Sequence, residues 1–221
     1  MIPKVIHFCW FGNAEYPPLM QACIETWHQY LPDWEFKLWN EDNSPMNHPF
    51  VKKAMQEKQY AFVADYVRCY ALYHEGGVYL DTDMELVKPL EIFLDQKFFS
   101  GYEDKDNQVV SCGIIGAVAQ HSILKGMLDY YDECSYLMTI PFIMTTVINN
   151  KNIIHDEFKL YNREYFYPYH IIESYPITQL MYKDVTEQTY AIHHWKKSWN
   201  LDSGNLLVRG YRYILRKFSK Y

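Results

Sequence analysis

The sequence predicts an α/β domain with a mostly parallel central sheet flanked by helices, and three observations predict it. Through residues 1–90 short apolar strands alternate with helical stretches in the order βαβ, helices, β. Val78-Tyr79-Leu80 is a short, wholly apolar run of the kind found in the middle of a parallel sheet. At 221 residues the chain can bury a full core and is most simply a single domain.

Val5 to Trp10 reads as the first strand, closed by Phe11-Gly12-Asn13. An aromatic at the end of an opening strand, beside a glycine, is a natural floor for a nucleotide base. For Trp10 the alternative is a core residue capping the sheet, and His7 within the strand reads as a satisfied core histidine. Pro17 to Tyr30 is helical, Glu35 to Trp39 alternates as a strand, and Phe50 to Lys58 is helical again. Ala61 to Glu75 is a helix apolar around most of its circumference, which places it inside a layered domain with Asp65 and Arg68 three apart on one face. Gly76 and Gly77 stop it, and the apolar strand follows. Lys97 to Tyr102 and Val109 to Ala117 read as strands, with Gly113 and Gly116 permitting close backbone approach. His121 to Cys134 is an amphipathic helix, and Phe158 to Tyr169 carries strand-like, aromatic-rich pieces.

Composition narrows the function. The net charge of −6 argues against a general nucleic-acid binder, so no nucleic-acid partner is expected. Aromatics make up 18% of the chain, which suits stacking on sugar faces as well as a tyrosine-rich core. The 5 cysteines are widely spaced without a C-x-x-C pair and read as reduced thiols. No basic region followed by a long apolar segment opens the chain, and the apolar run from Leu137 to Ile148 is too short to span a bilayer, so a cytoplasmic location is expected.

The chemistry concentrates after the Ala61 helix. Asp81 ends the apolar strand and Asp83 follows two residues later, so strand alternation predicts both carboxylates on one side at the strand's C-terminal edge. Ligands of open α/β sheets bind in that crevice, and hard oxygen donors there suit Mg²⁺ or Mn²⁺ gripping a diphosphate. An Asp-x-Asp occurs often by chance, and Asp65 with Arg68 alone would be an ordinary ion pair; the combination is more specific.

The Ala-Asp-x-x-Arg helix, the Gly-Gly-x-Tyr-Leu-Asp-x-Asp turn and strand, and Pro89 together resemble the sugar transferases with a DXD motif. That group includes yeast mannosyltransferases, α-1,4-galactosyltransferases, bacterial capsule-synthesis enzymes and, more distantly, clostridial glucosylating toxins. A further segment, His193-His194-Trp195-Lys196-Lys197-Ser198, reads His-x-Trp-x-x-Ser and resembles the family's closing His-x-Trp…Ser segment.

The resemblance implies a GT-A type fold over residues 1–205, with 1–90 the nucleotide-binding half and 91–205 the acceptor side and closing motif. It implies a metal-dependent, retaining glycosyltransferase using a UDP-hexose, galactose first because the His-x-Trp segment looks closest to the galactosyltransferase branch. Asp81 and Asp83 would hold Mn²⁺ or Mg²⁺, Trp10 would stack on the base, and Asp65 and Arg68 would position the donor sugar with Tyr79 supporting them. His193 would complete the metal or phosphate environment, His194 being the alternative; Lys197 and Ser198 could reach phosphate oxygens. Ser111 and Cys112 lie where relatives carry a polar residue near the donor sugar, while Ile140-Pro141 departs from the family's Gly-Pro step.

Residues 206–221 add a basic amphipathic segment to an acidic protein, expected either at an anionic membrane surface or packed on the domain. The acceptor implied is a saccharide, possibly polyprenyl-diphosphate-linked, in surface polysaccharide synthesis at the inner membrane face. A non-catalytic carbohydrate-binding protein and a protein-modifying sugar transferase are the alternatives.

Overall fold

The computed structural model describes residues 1–134, 137–150, 156–169 and 180–195. Lys197, Ser198 and the 206–221 segment lie outside the described residues.

Strand β1 (Val5–Cys9) leads through helix α1 (Pro18–Tyr30) to β2 (Glu35–Trp39), then α2 (Pro49–Gln56) and α3 (Tyr60–Glu75) precede β3 (Gly77–Leu80). After β4 (Met84–Leu86) come β5 (Phe98–Tyr102), β6 (Val110–Ala117), α4 (Ser122–Glu133), α5 (Ile140–Ile148), β7 (Lys159–Tyr161) and β8 (Ala191–His193). The six-stranded sheet runs β2-β1-β3-β6-β5-β7, with β6 alone antiparallel to its neighbours. The expected α/β class with a mostly parallel sheet is therefore present, and β6 is the strand that lets β5 return beside it through a short connection.

Side-chain alternation splits the core between the two faces of the sheet. Tyr79, Ile115 and Phe98 point to the face covered by α2 to α5, while Val78, Leu80, Ile114 and Phe99 point to the other, which carries Trp27 of α1 and the β4–β8 pair. Trp27 is fully buried and donates from Nε1 to the Met84 carbonyl at 2.7 Å, tying α1 to β4. Gly116 is required by packing: a Cβ there would sit 2.0 Å from the ring of Phe99, its register partner.

Helix α3 is buried on nearly every side, Asp65 and Arg68 included. It stops at Gly76, whose φ of 68° and ψ of −172° form a backbone that a side chain would forbid, and Gly77 follows at φ 109°. Pro141 stands in the first turn of α5, where its missing N–H leaves no partner unsatisfied, so the helix runs through it from Ile140 to Ile148. Among the described residues no helix is long and apolar enough to cross a membrane.

Candidate active site at the C-terminal end of β3

The site is assembled where β3 ends. Asp81 does not continue the strand as expected; β3 stops at Leu80 and Asp81-Thr82-Asp83 form a turn closed by the Met84 amide donating to the Asp81 carbonyl at 2.9 Å. The two carboxylates face one another through this turn, not through strand alternation. The Asp81 amide donates to the Gly113 carbonyl at 2.8 Å, and a Cβ on Gly113 would lie 3.3 Å from Asp81 Oδ2, so the β6 glycine forms the floor under this carboxylate.

His193 arrives from 110 residues away because β8 pairs antiparallel with β4, Met84 opposite His193. Its Nε2 lies 3.1 Å from Asp83 Oδ1 and 3.9 Å from Asp81 Oδ2, while His194 turns away to Glu85 at 2.7 Å. Trp195 is not in extended register with His193; it takes φ 49°, and its ring packs 4.1 Å from the His193 ring. Tyr167 closes the other flank, its ring 5.8 Å from His193 and its hydroxyl accepting from the Ile114 amide at 3.0 Å.

Arg68 reaches in from α3. Its Nη2 lies 3.0 Å from Asp65 Oδ1 and 3.1 Å from Asp81 Oδ1, its Nη1 donates to the Cys112 carbonyl at 2.6 Å, and its guanidinium sits over the Tyr79 ring at 4.4 Å. The Tyr79 hydroxyl donates to Asp81 Oδ1 at 3.1 Å. One guanidinium thus links the helix carboxylate to the turn carboxylate. Trp10 lies just past β1; the parallel register His7 to Tyr79, carried on two residues, sets Cys9 level with Asp81 and Trp10 one residue beyond. Trp10 is half-buried, its ring 4.7 Å from Tyr16 and its Nε1 donating to the Ala14 carbonyl.

Electrostatics follow from burying three carboxylates around one guanidinium and one imidazole. Burial pushes the Asp65 carboxyl up to about 7 against the opposing pull of Arg68. Burial also raises Asp81, with Arg68 and His193 opposing it. For His193 burial acts to lower the pKa, but the charge and hydrogen bond of Asp83 and the charge of Asp81 outweigh it, and the imidazole is raised.

Among the described residues, Asp81, Asp83 and His193 offer ligand atoms within 4.8 Å of one another. Two carboxylate oxygens and one imidazole nitrogen fit a divalent cation, and the nitrogen favours Mn²⁺ over Mg²⁺, which prefers an all-oxygen shell.

The structure therefore brings Asp65, Arg68, Tyr79, Asp81, Asp83 and His193 to one place, with Trp10 at the neighbouring strand end. Buried Glu103, whose charge acts on His193, and Tyr167 also belong to these surroundings. Neither stands in a local motif; Glu103 directly follows β5, and Tyr167 lies in the aromatic-rich stretch after β7.

The fold is that of the GT-A glycosyltransferases, and residues 17–100 match the family described as glycosyltransferase sugar-binding region containing DXD motif, so the resemblance read from α3 and the Asp-x-Asp turn holds. The chain is 26% identical over 156 residues to inositol phosphoceramide mannosyltransferase 2 of Schizosaccharomyces pombe, covering 65% of this chain and 42% of the relative. It is 30% identical over 106 residues to inositol phosphoceramide mannosyltransferase 1 of the same yeast, covering 44% and 33%. The chain thus spans less than half the length of these relatives. A glycosyltransferase involved in glycosylating the major capsid of PBCV-1 superposes with a TM-score of 0.56 at 15% identity, over 89% of this chain and 95% of the other. The galactosyltransferase LgtC, solved with donor and acceptor sugar analogs, gives 0.50 at 14% identity, over 95% and 94%.

Proposed function

We propose that this chain transfers a hexose from a nucleoside diphosphate sugar to a saccharide acceptor, with the chemistry at the C-terminal end of β3. The Asp81, Asp83 and His193 donor set carries this reading. A divalent cation held by these three residues would supply Lewis-acid stabilisation of the departing nucleoside diphosphate. Arg68 holds Asp81 in place while keeping Asp65 beside it, and Asp65 Oδ2, buried without a hydrogen-bond partner among the described residues, is an acceptor for a donor-sugar hydroxyl. Trp10 offers its face to the base. Lys197 and Ser198 are assigned to phosphate oxygens on the family resemblance alone.

On the His-x-Trp segment the donor is UDP-galactose, transferred with retention. A second reading, mannose, is favoured by the relatives, which are named as mannosyltransferases. The proposed acceptor is polyprenyl-diphosphate-linked in surface polysaccharide synthesis, with the chain peripheral on the inner membrane face through its basic 206–221 segment.

The test is hydrolysis and transfer across a panel of UDP- and GDP-hexoses. Activity should disappear with a chelator and return with Mn²⁺ or Mg²⁺; turnover undiminished by the chelator would refute the metal assignment. For the membrane reading, the chain should sediment with anionic liposomes at low salt and be released as salt rises. Indifference to such liposomes at low salt removes the membrane role.

A further inference from the structure

A second recess lies on the same edge of the sheet, away from the acidic cluster. Strands β3, β5 and β7 run the same way, so the segments after their ends share the edge that carries Asp81. Between the loop after β5 and the turn after β7 is a cavity of about 260 Å³ lined by Lys105, Asn107, Asn162, Arg163 and Glu164. The sheet order sets it two to three strands from β3, hence about 10–15 Å away at about 4.8 Å per strand.

The lining has a distinctive chemistry. Lys105 and Arg163 are donors only, Glu164 is an acceptor only, and the two asparagine amides are both. Asn107 Nδ2 donates to Asn162 Oδ1 at 3.4 Å across the gap between the two loops, and Asn107 takes φ 53°, which asparagine tolerates better than most residues. Within the β5–β6 loop, Asp104 accepts from the Gln108 and Val109 amides and stiffens the turn. A phosphate would meet the Glu164 carboxylate and would find the amide oxygens useless. A ring of hydroxyls, each able to donate and accept, matches the two asparagine amides and the Glu164 carboxylate. The volume is just under the roughly 300–1,000 Å³ of pockets for drug-sized ligands, which suits one sugar unit.

We propose that this cavity is a saccharide subsite holding a sugar unit of the acceptor remote from the hydroxyl that receives the hexose, so that the chain selects oligosaccharide over monosaccharide acceptors. The assignment of that sugar to an acceptor rests on the transferase reading; the binding itself does not.

The experiment uses the ¹⁵N-labelled 221-residue chain, titrated separately with mannobiose, maltose, lactose and inorganic phosphate while the side-chain amides of Asn107 and Asn162 are followed by NMR. At least one disaccharide should move both amides saturably at millimolar concentration. Asn162→Ala and Glu164→Gln should each weaken that binding about tenfold, the loss of one or two hydrogen bonds. Neither change should alter nucleotide-sugar hydrolysis measured without acceptor, whereas KM for an oligosaccharide acceptor should rise about tenfold and that for a monosaccharide should not. Amides unmoved by all three sugars, or moved by phosphate and not by sugars, overturn the proposal even with hydrolysis intact. Saturable sugar shifts in a chain that hydrolyses no nucleotide sugar support the saccharide site and sink the transferase reading instead.

Discussion

His7 and His193 are both buried and lie at opposite ends of β3, yet their surroundings differ in every respect that decides what a histidine can do. His7 donates from Nε2 to the Gly76 carbonyl at 2.8 Å and accepts at Nδ1 from Trp39 Nε1 at 3.0 Å, so one neutral tautomer satisfies both nitrogens. Burial lowers its pKa. His193 faces two carboxylates with Nε2, has its pKa raised, and keeps a buried Nδ1 without a partner among the described residues. The first is built for stability. The second carries an unsatisfied atom and sits against two carboxylates at close range, whose mutual repulsion a cation bound by them and Nε2 would relieve.

Paired replacement should separate the two roles, and it carries the largest expected effect. His7→Ala orphans the Gly76 carbonyl and the Trp39 N–H and leaves a cavity, at a cost of about 2–5 kcal/mol in urea unfolding, with Mn²⁺ affinity unchanged in whatever fraction folds. His193→Ala should weaken Mn²⁺ binding, read by calorimetry, by at least the roughly 10–100-fold that loss of an outer-shell partner costs. Its stability should fall by about 1–3 kcal/mol, because the cavity and the loss of the Asp83 contact are only partly offset by removal of the unpartnered Nδ1. Equal destabilisation by both changes, with metal binding untouched, would put His193 in the same class as His7.

The contrast also marks how far the sequence could be read. Helix α3, the Gly76-Gly77 stop and the apolar β3 are legible because their signals are local: period, glycine pair, a run of apolar residues. So is the clustering of Asp65, Arg68, Asp81 and Asp83, which follows from helix and strand running into one another. The geometry between Asp81 and Asp83 is less legible, since four apolar residues do not reveal that the strand ends at Leu80 and a turn begins. The approach of His193 depends on β4 pairing with β8 across more than a hundred residues, and no local period encodes that register. Choosing His193 over His194 rested on the resemblance; the pairing that puts one against Asp83 and the other against Glu85 is tertiary. His7 read as a satisfied core residue from its apolar strand, but its two partners come from β2 and the end of α3.

A second, smaller effect is the pH dependence that His7 should impose. Its folded pKa lies below the unfolded value of about 6.5, so at pH values between the two the unfolded chain binds the proton and the folded chain does not. Stability from this lock is complete above about pH 6.5 and declines as pH falls toward the folded pKa, below which the loss is finished. Urea midpoints of wild type should therefore drop between neutral and mildly acid pH. A His7→Gln variant, less stable at pH 7, should lose this part of the slope. An unchanged slope would show that the acid sensitivity belongs to other groups.

The smallest effect concerns the charges around His7. Glu75 raises its pKa and Lys37 lowers it, and the two are joined by a pair at 2.6 Å whose side chains are about a third exposed, 33% and 37%. Glu35 acts in the same direction as Glu75 but more weakly. Screening limits such a pair to about 0–1 kcal/mol, so Glu75→Gln should shift stability at pH 7 by no more than that, and less at high salt. Removing the Glu75 charge leaves Lys37 opposed only by the weaker Glu35 and moves the folded pKa of His7 further below that of the unfolded chain. The acid-side loss should then extend to lower pH and grow, although the neutral-pH change is slight. If Glu75→Gln instead steepens nothing below pH 6.5, the imidazole is held neutral by its two hydrogen bonds and its burial alone, and the surface pair is incidental to the lock.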